Sequence, residues 1–79
     1  MTYELQARFD SRKSFYGKAH VEDEGNTKTL LSYCTKVARV TDGKLELLPM
    51  WNCSMTTRRH CAEFARQTDT FDQYLELKK

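Results

Sequence analysis

Residues 54 to 67 read SMTTRRHCAEFARQ, and six of the first seven side chains could hold an anion: Ser54, Thr56, Thr57, Arg58, Arg59 and His60. Ser54, Thr56 and Thr57 are each competent helix N-caps, so a helix should begin here. A helix N-terminus carries unpaired N–H groups and partial positive charge, and hydroxyl and guanidinium donors beside it would strengthen its hold on a phosphate. Arg58 and Arg59 fall in the first turn, where the helix dipole disfavours each cation by about 0.3–1 kcal/mol. A bound anion would offset that cost. A plainer reading competes and is simpler: the hydroxyls cap the helix while Glu63, four residues after Arg59 and three before Arg66, pairs with both arginines. His60 would then pack beside Phe64 or bond a nearby carbonyl.

The same stretch contains sulfur. Cys53, His60 and Cys61 could in principle hold zinc, but His60 and Cys61 are adjacent and would point about 100° apart on a helix, so no metal is expected. Cys34, Cys53 and Cys61 are an odd number without C-x-x-C spacing, as expected of reduced thiols in an intracellular protein. Cys61 with His20 or His60 would be a nucleophile and base, yet Cys61 falls on the apolar stripe of its helix, which argues against a reactive thiolate. With no Gly-rich phosphate loop and no H-E-x-x-H, the chain is expected to be a non-enzymatic protein without a cofactor.

Two further groups could meet a partner. Lys18, Lys36 and Lys44 could line one outer sheet face with Tyr16, a mixture of cations and ring that suits phosphate and base contact; a solvated polar face is the simpler account. Trp51, just after Pro49 in a strand-to-helix connection, is a candidate partner anchor or a lid on a thin core.

The elements that must position these residues follow from periodicity. Residues 3 to 9 alternate, as do residues 15 to 21, and both read as half-buried strands, joined by a turn at residues 10 to 13. Residues 27 to 41 read as one long strand whose apolar phase slips between Tyr33 and Ala38, which predicts a β-bulge or a strong bend. Asp42-Gly43 suits a two-residue type I′ hairpin, and the strand that follows from Lys44 is limited by Pro49. Thr57, Cys61, Phe64, Thr68, Phe71 and Leu75 form a helical stripe, with a weak point at residues 68 to 70 where Thr70 and Gln73 could make a capping box for a second short helix. The expected fold is α+β: an antiparallel meander of about four strands packed against a C-terminal helix, one domain over residues 1–79.

Composition bounds the function more loosely. A chain of 79 residues, 39% hydrophobic and 30% charged, suits a small globular domain with a thin core, one that a homodimer could enlarge. No apolar run approaches the roughly 20 residues that span a bilayer, and the charged, alternating start does not resemble a secretory signal. No membrane association is expected, and a cytoplasmic location is.

The segments SFYGKA (14 to 19), LLSYCTKVARV (30 to 40) and SMTTRRHCAEFARQ together resemble a family of short uncharacterised proteins from Gram-positive bacteria, their phages and their conjugative elements. The family pattern is similar to S-x-T-T-x-R-H-x-x-E-F-x-x-Q, matched by Ser54, Thr56, Thr57, Arg59, His60, Glu63, Phe64 and Gln67. An earlier L-x-S-Y-x-T-x-V-A stretch is matched by Ser32, Tyr33, Thr35, Val37 and Ala38. Cys34 and Cys61 depart from the pattern, replacing a polar and an aliphatic residue. The resemblance implies a mobile-element setting and supplies no activity. The expectation is a small binding protein of a phage or mobile element that contacts nucleic acid or a nucleoprotein complex through the basic helix head. The alternatives are an anti-CRISPR-like inhibitor acting by protein–protein binding and an oligomeric module without ligand.

Overall fold

A computed structural model of the chain describes residues 1–6, 8 and 18–78. In chain order the elements are β1 (Thr2–Glu4), β2 (Ala19–Asp23), β3 (Thr27–Ser32), β4 (Thr35–Thr41), β5 (Lys44–Leu47), α1 (Met55–Gln67) and α2 (Phe71–Leu77). Every strand pairs antiparallel with its neighbour in sequence, giving one sheet in the order β1-β2-β3-β4-β5. The architecture is the expected α+β meander, with five strands instead of about four. The expected turn at 10 to 13, the start of the second strand and Tyr16 lie outside the described residues.

The added strand comes from residues 27 to 41, which form a hairpin rather than one strand. Tyr33 and Cys34 both have positive φ (52° and 70°), the signature of a type I′ turn, and Ser32 pairs across it with Thr35. The expected bulge is also present. Leu30 faces Ala38 while Leu31 faces Lys36, so Val37 is the extra residue of β4. Val37 and Ala38 are consequently both buried, and the phase slip of the sequence is this doubling. Asp42 and Gly43 adopt positive φ (51° and 79°) and make the β4–β5 turn that their types predict.

Ala19, Val21, Leu30, Ala38, Val40 and Leu45 alternate onto one sheet face, and α1 covers β3 and β4 there while α2 covers β5. The helices supply Cys61, Phe64, Ala65 and Tyr74 to the same core. The apolar stripe is shared by two helices, which part at the weak point expected at residues 68 to 70. Asp69 adopts a left-handed φ of 61°, Asp69 N–H reaches Arg66 O at 3.3 Å and Thr70 N–H reaches Ala65 O at 2.8 Å, which is a Schellman stop. Aspartate tolerates that conformation better than most side chains. The capping box is not formed: Thr70 makes no side-chain cap bond at the start of α2. Gln73 turns instead to the β5 edge, accepting from Leu45 N–H and donating to Gly43 O, both at 2.8 Å. Among the described residues no helix is long and apolar enough to cross a membrane.

Candidate functional site

The head of α1 divides between two faces. Ser54 is the N-cap, its Oγ accepting from Thr57 N–H at 3.1 Å. One turn on, Thr57 and His60 point into the core. Thr57 Oγ1 lies 3.2 Å from Ser32 Oγ, and Ser32 Oγ lies 2.8 Å from His60 Nδ1. Cys53 Sγ and Ser54 Oγ both reach Thr57 Oγ1 as well, at 3.5 and 3.1 Å. With His60 fully buried and Thr57 nearly so, these two expected anion contacts serve a hydroxyl network that ties α1 to β3. His60 bonds a serine and lies 6.0 Å from the Tyr33 ring. Thr56 is half-buried at the helix surface.

Glu63 also departs from expectation. It is fully buried, and its carboxylate accepts from Arg8 N–H at 3.1 Å and from the Gln67 amide. It therefore does not solvate a face with Arg59 and Arg66. Arg39 and Glu46 form a salt bridge at 2.6 Å on the outer sheet face. With its N-cap at Ser54, α1 has Met55, Thr56 and Thr57 in its first turn and no acidic residue there, and Arg58 and Arg59 open the second turn rather than sitting in the first as expected.

Those arginines turn to the other side of α1 and line a groove of about 570 Å³ between α1 and α2. Met55, Arg58, Arg59, Ala62 and Arg66 supply the α1 wall; Phe71, Tyr74 and Lys78 supply the opposite wall, and Trp51 closes one end. No carboxylate is among these residues. Trp51 meets Tyr74 edge-on (centroids 6.0 Å, 87°), and Phe71 stacks on Tyr74 (5.8 Å, 22°). The Arg66 guanidinium lies 4.3 Å above the Phe71 ring and the Lys78 ammonium 5.6 Å from the Tyr74 ring. Tyr74 Oη donates to Arg58 O at 3.4 Å, pinning α2 to the head of α1. Burial pushes the Tyr74 hydroxyl pKa up, Cys61 adds to the shift, and Arg58 and Arg66 oppose it.

The thiol behind the groove is structural. Cys61 Sγ donates to Trp51 O at 3.7 Å, and burial followed by the nearby Cys53 pushes its pKa up to about 12. Such a group stays protonated at neutral pH and is a poor nucleophile. Cys34 and Cys53 are exposed free thiols.

The remaining expected contacts lie elsewhere. Lys18, whose carbonyl accepts from Tyr33 N–H, and Lys36, opposite Leu31 on β3, are exposed at the β3–β4 turn end of the sheet and do not line the groove. A second depression, about 690 Å³, mixes Arg8, Lys28 and Arg66 with Asp42 and Asp69, so its charges largely cancel. Of the expected site residues, the structure brings Arg58, Arg59 and Trp51 together; Arg66, Phe71, Tyr74 and Lys78 were not anticipated. The spacing of Met55, Arg58, Arg59, Ala62 and Arg66 on one helical face was a usable signal. The break before α2 was legible at residues 68 to 70, but the facing of α2 against α1 was not.

The sequence model of one protein family, described as a family of unknown function (DUF8033), matches residues 3–79. No curated protein matches the chain significantly, and neither does any solved structure. Matched over nearly its whole length, the chain belongs to the DUF8033 family of unknown function.

Proposed function

We propose that this is a small, non-enzymatic binding protein of a phage or mobile element that contacts nucleic acid, free or within a nucleoprotein complex, through the groove between α1 and α2. One observation carries the reading: Arg58, Arg59, Arg66 and Lys78 converge with Trp51, Phe71 and Tyr74 on one groove with no carboxylate among its described lining residues. Phosphates answer the cations, and base or sugar surface answers the rings. The arginines are better suited than lysines to this work, since a guanidinium can pair with phosphate and stack on a ring at once. The mobile-element setting rests on the sequence resemblance alone.

The test is a titration with short oligonucleotides at two or more salt concentrations. Neutralising up to four phosphates of a single strand predicts a slope of log Kobs against log salt of about −3 at most. Arg58→Ala and Arg59→Ala, with folds intact, would each flatten it by about 0.7. A flat salt dependence would remove the proposal. Met55, 67% exposed at the groove rim, favours a second reading, in which an acidic protein surface docks there and the protein inhibits a defence effector. Pull-down of such an effector in the absence of nucleic acid separates the two.

A further inference from the structure

We infer that the groove takes single-stranded nucleic acid, with an unpaired base stacked on the Arg66–Phe71 platform, and does not read a duplex. This rests on the nucleic-acid reading above and narrows it. The rings and the cations share one concave surface rather than forming separate strips, so a ligand that reaches the phosphate contacts also reaches the ring faces. Arg66 already stacks one face of its guanidinium on Phe71 at 4.3 Å, and Arg66 is exposed, so its opposite face offers a flat plane to a base. Phe71, stacked in turn on Tyr74, gives that plane a rigid support.

The shape excludes the other docking mode. Direct readout in the major groove of a duplex takes a helix or ribbon that projects into it so that side chains meet base edges. Here α2 lies along the basic face of α1, held there by the Tyr74 hydroxyl on Arg58 O, so the cations flank a depression and not a ridge. None of the lining side chains is an Asn, Gln, Asp or Glu. Recognition by stacking and charge without those side chains tolerates many sequences.

The experiment compares three labelled probes by fluorescence anisotropy: a single strand of about 12 nucleotides, a strand of equal phosphate number lacking bases, and a duplex of equal length. Trp51, the one tryptophan of the chain, reports occupancy of the groove by its emission. The expected result is binding of the single strand at least about tenfold tighter than of either other probe, as base–aromatic stacking provides, with a change in Trp51 emission. Arg66→Ala should abolish the preference over the abasic strand. Met55→Glu, at an exposed position that folding does not need, should weaken all binding. Equal, salt-sensitive affinity for the three probes would overturn the single-strand inference and leave the phosphate reading standing. Binding of none of them at low salt would overturn both.

Discussion

His60 Nδ1 and Ser32 Oγ meet at 2.8 Å in the interior, joining the second turn of α1 to the last residue of β3. The bond places a polar pair where an apolar contact would be ordinary, and Thr57 completes the network. Ser32→Ala removes an oxygen that serves both side chains and leaves a buried imidazole nitrogen without it. The expected loss is about 1–3 kcal/mol, or a fall in Tm of roughly 4–8 °C for each kcal/mol in a domain of this size. Calorimetry on the variant decides the point, and an unchanged Tm would mean that the network contributes nothing to stability.

Arg58 and Arg59 lead to a prediction of opposed signs. Both lie just beyond the first turn of α1, which contains no acidic residue. Removing either cation should leave stability unchanged or raise it by at most about 0.3 kcal/mol, because the dipole effect falls off within the first turn, while weakening oligonucleotide binding. Denaturant melts run beside the binding titrations would reveal the opposition; a matching loss of stability would make the arginines structural.

Alkali should act through Cys61. Its pKa of about 12 in the folded protein lies above the usual thiol value of 9, so unfolding at high pH releases a proton that the native state keeps. The stabilising contribution is complete below about pH 9 and is lost as pH rises toward 12. The raised hydroxyls of Tyr74 and Tyr3 act in the same direction. Cys61→Val should flatten the decline of stability between those limits, measured as midpoint denaturant concentration against pH. At pH 8, thiol reagents should label Cys34 and Cys53 in the native protein and spare Cys61.

Cys34 is the least suited residue of the β3–β4 turn. It holds φ at 70° with a side chain that disfavours the left-handed region. Cys34→Gly should raise stability by about 1 kcal/mol, since glycine is the preferred second residue of a type I′ turn. An equal or lower Tm would show that the cysteine side chain makes a compensating contact.

That turn also explains what could be read from the sequence and what could not. Asp42-Gly43 announces its hairpin because both residues adopt positive φ readily. Tyr33-Cys34 makes the same turn with residues that carry no such signal, so a hairpin passed for one strand with a phase slip. The slip itself was legible, and Val37 accounts for it as a bulge. At the site, the caps and the basic helix head were visible, but the split of the head between core and groove depends on facing. Thr57 and His60 are three apart and share the inward face, which the helical period contained and which the attraction of a common anion site obscured. The groove was hidden for a different reason. Its second wall exists only because Asp69 turns the chain back through a left-handed residue; the weak point at residues 68 to 70 was legible, but the direction in which the second helix turns was not.

The carboxamide of Gln73 stands in for a peptide group on the outer side of β5, engaging Leu45 N–H and Gly43 O as a sixth strand would. That part of the β5 edge thereby offers fewer free backbone groups to a strand added from another chain.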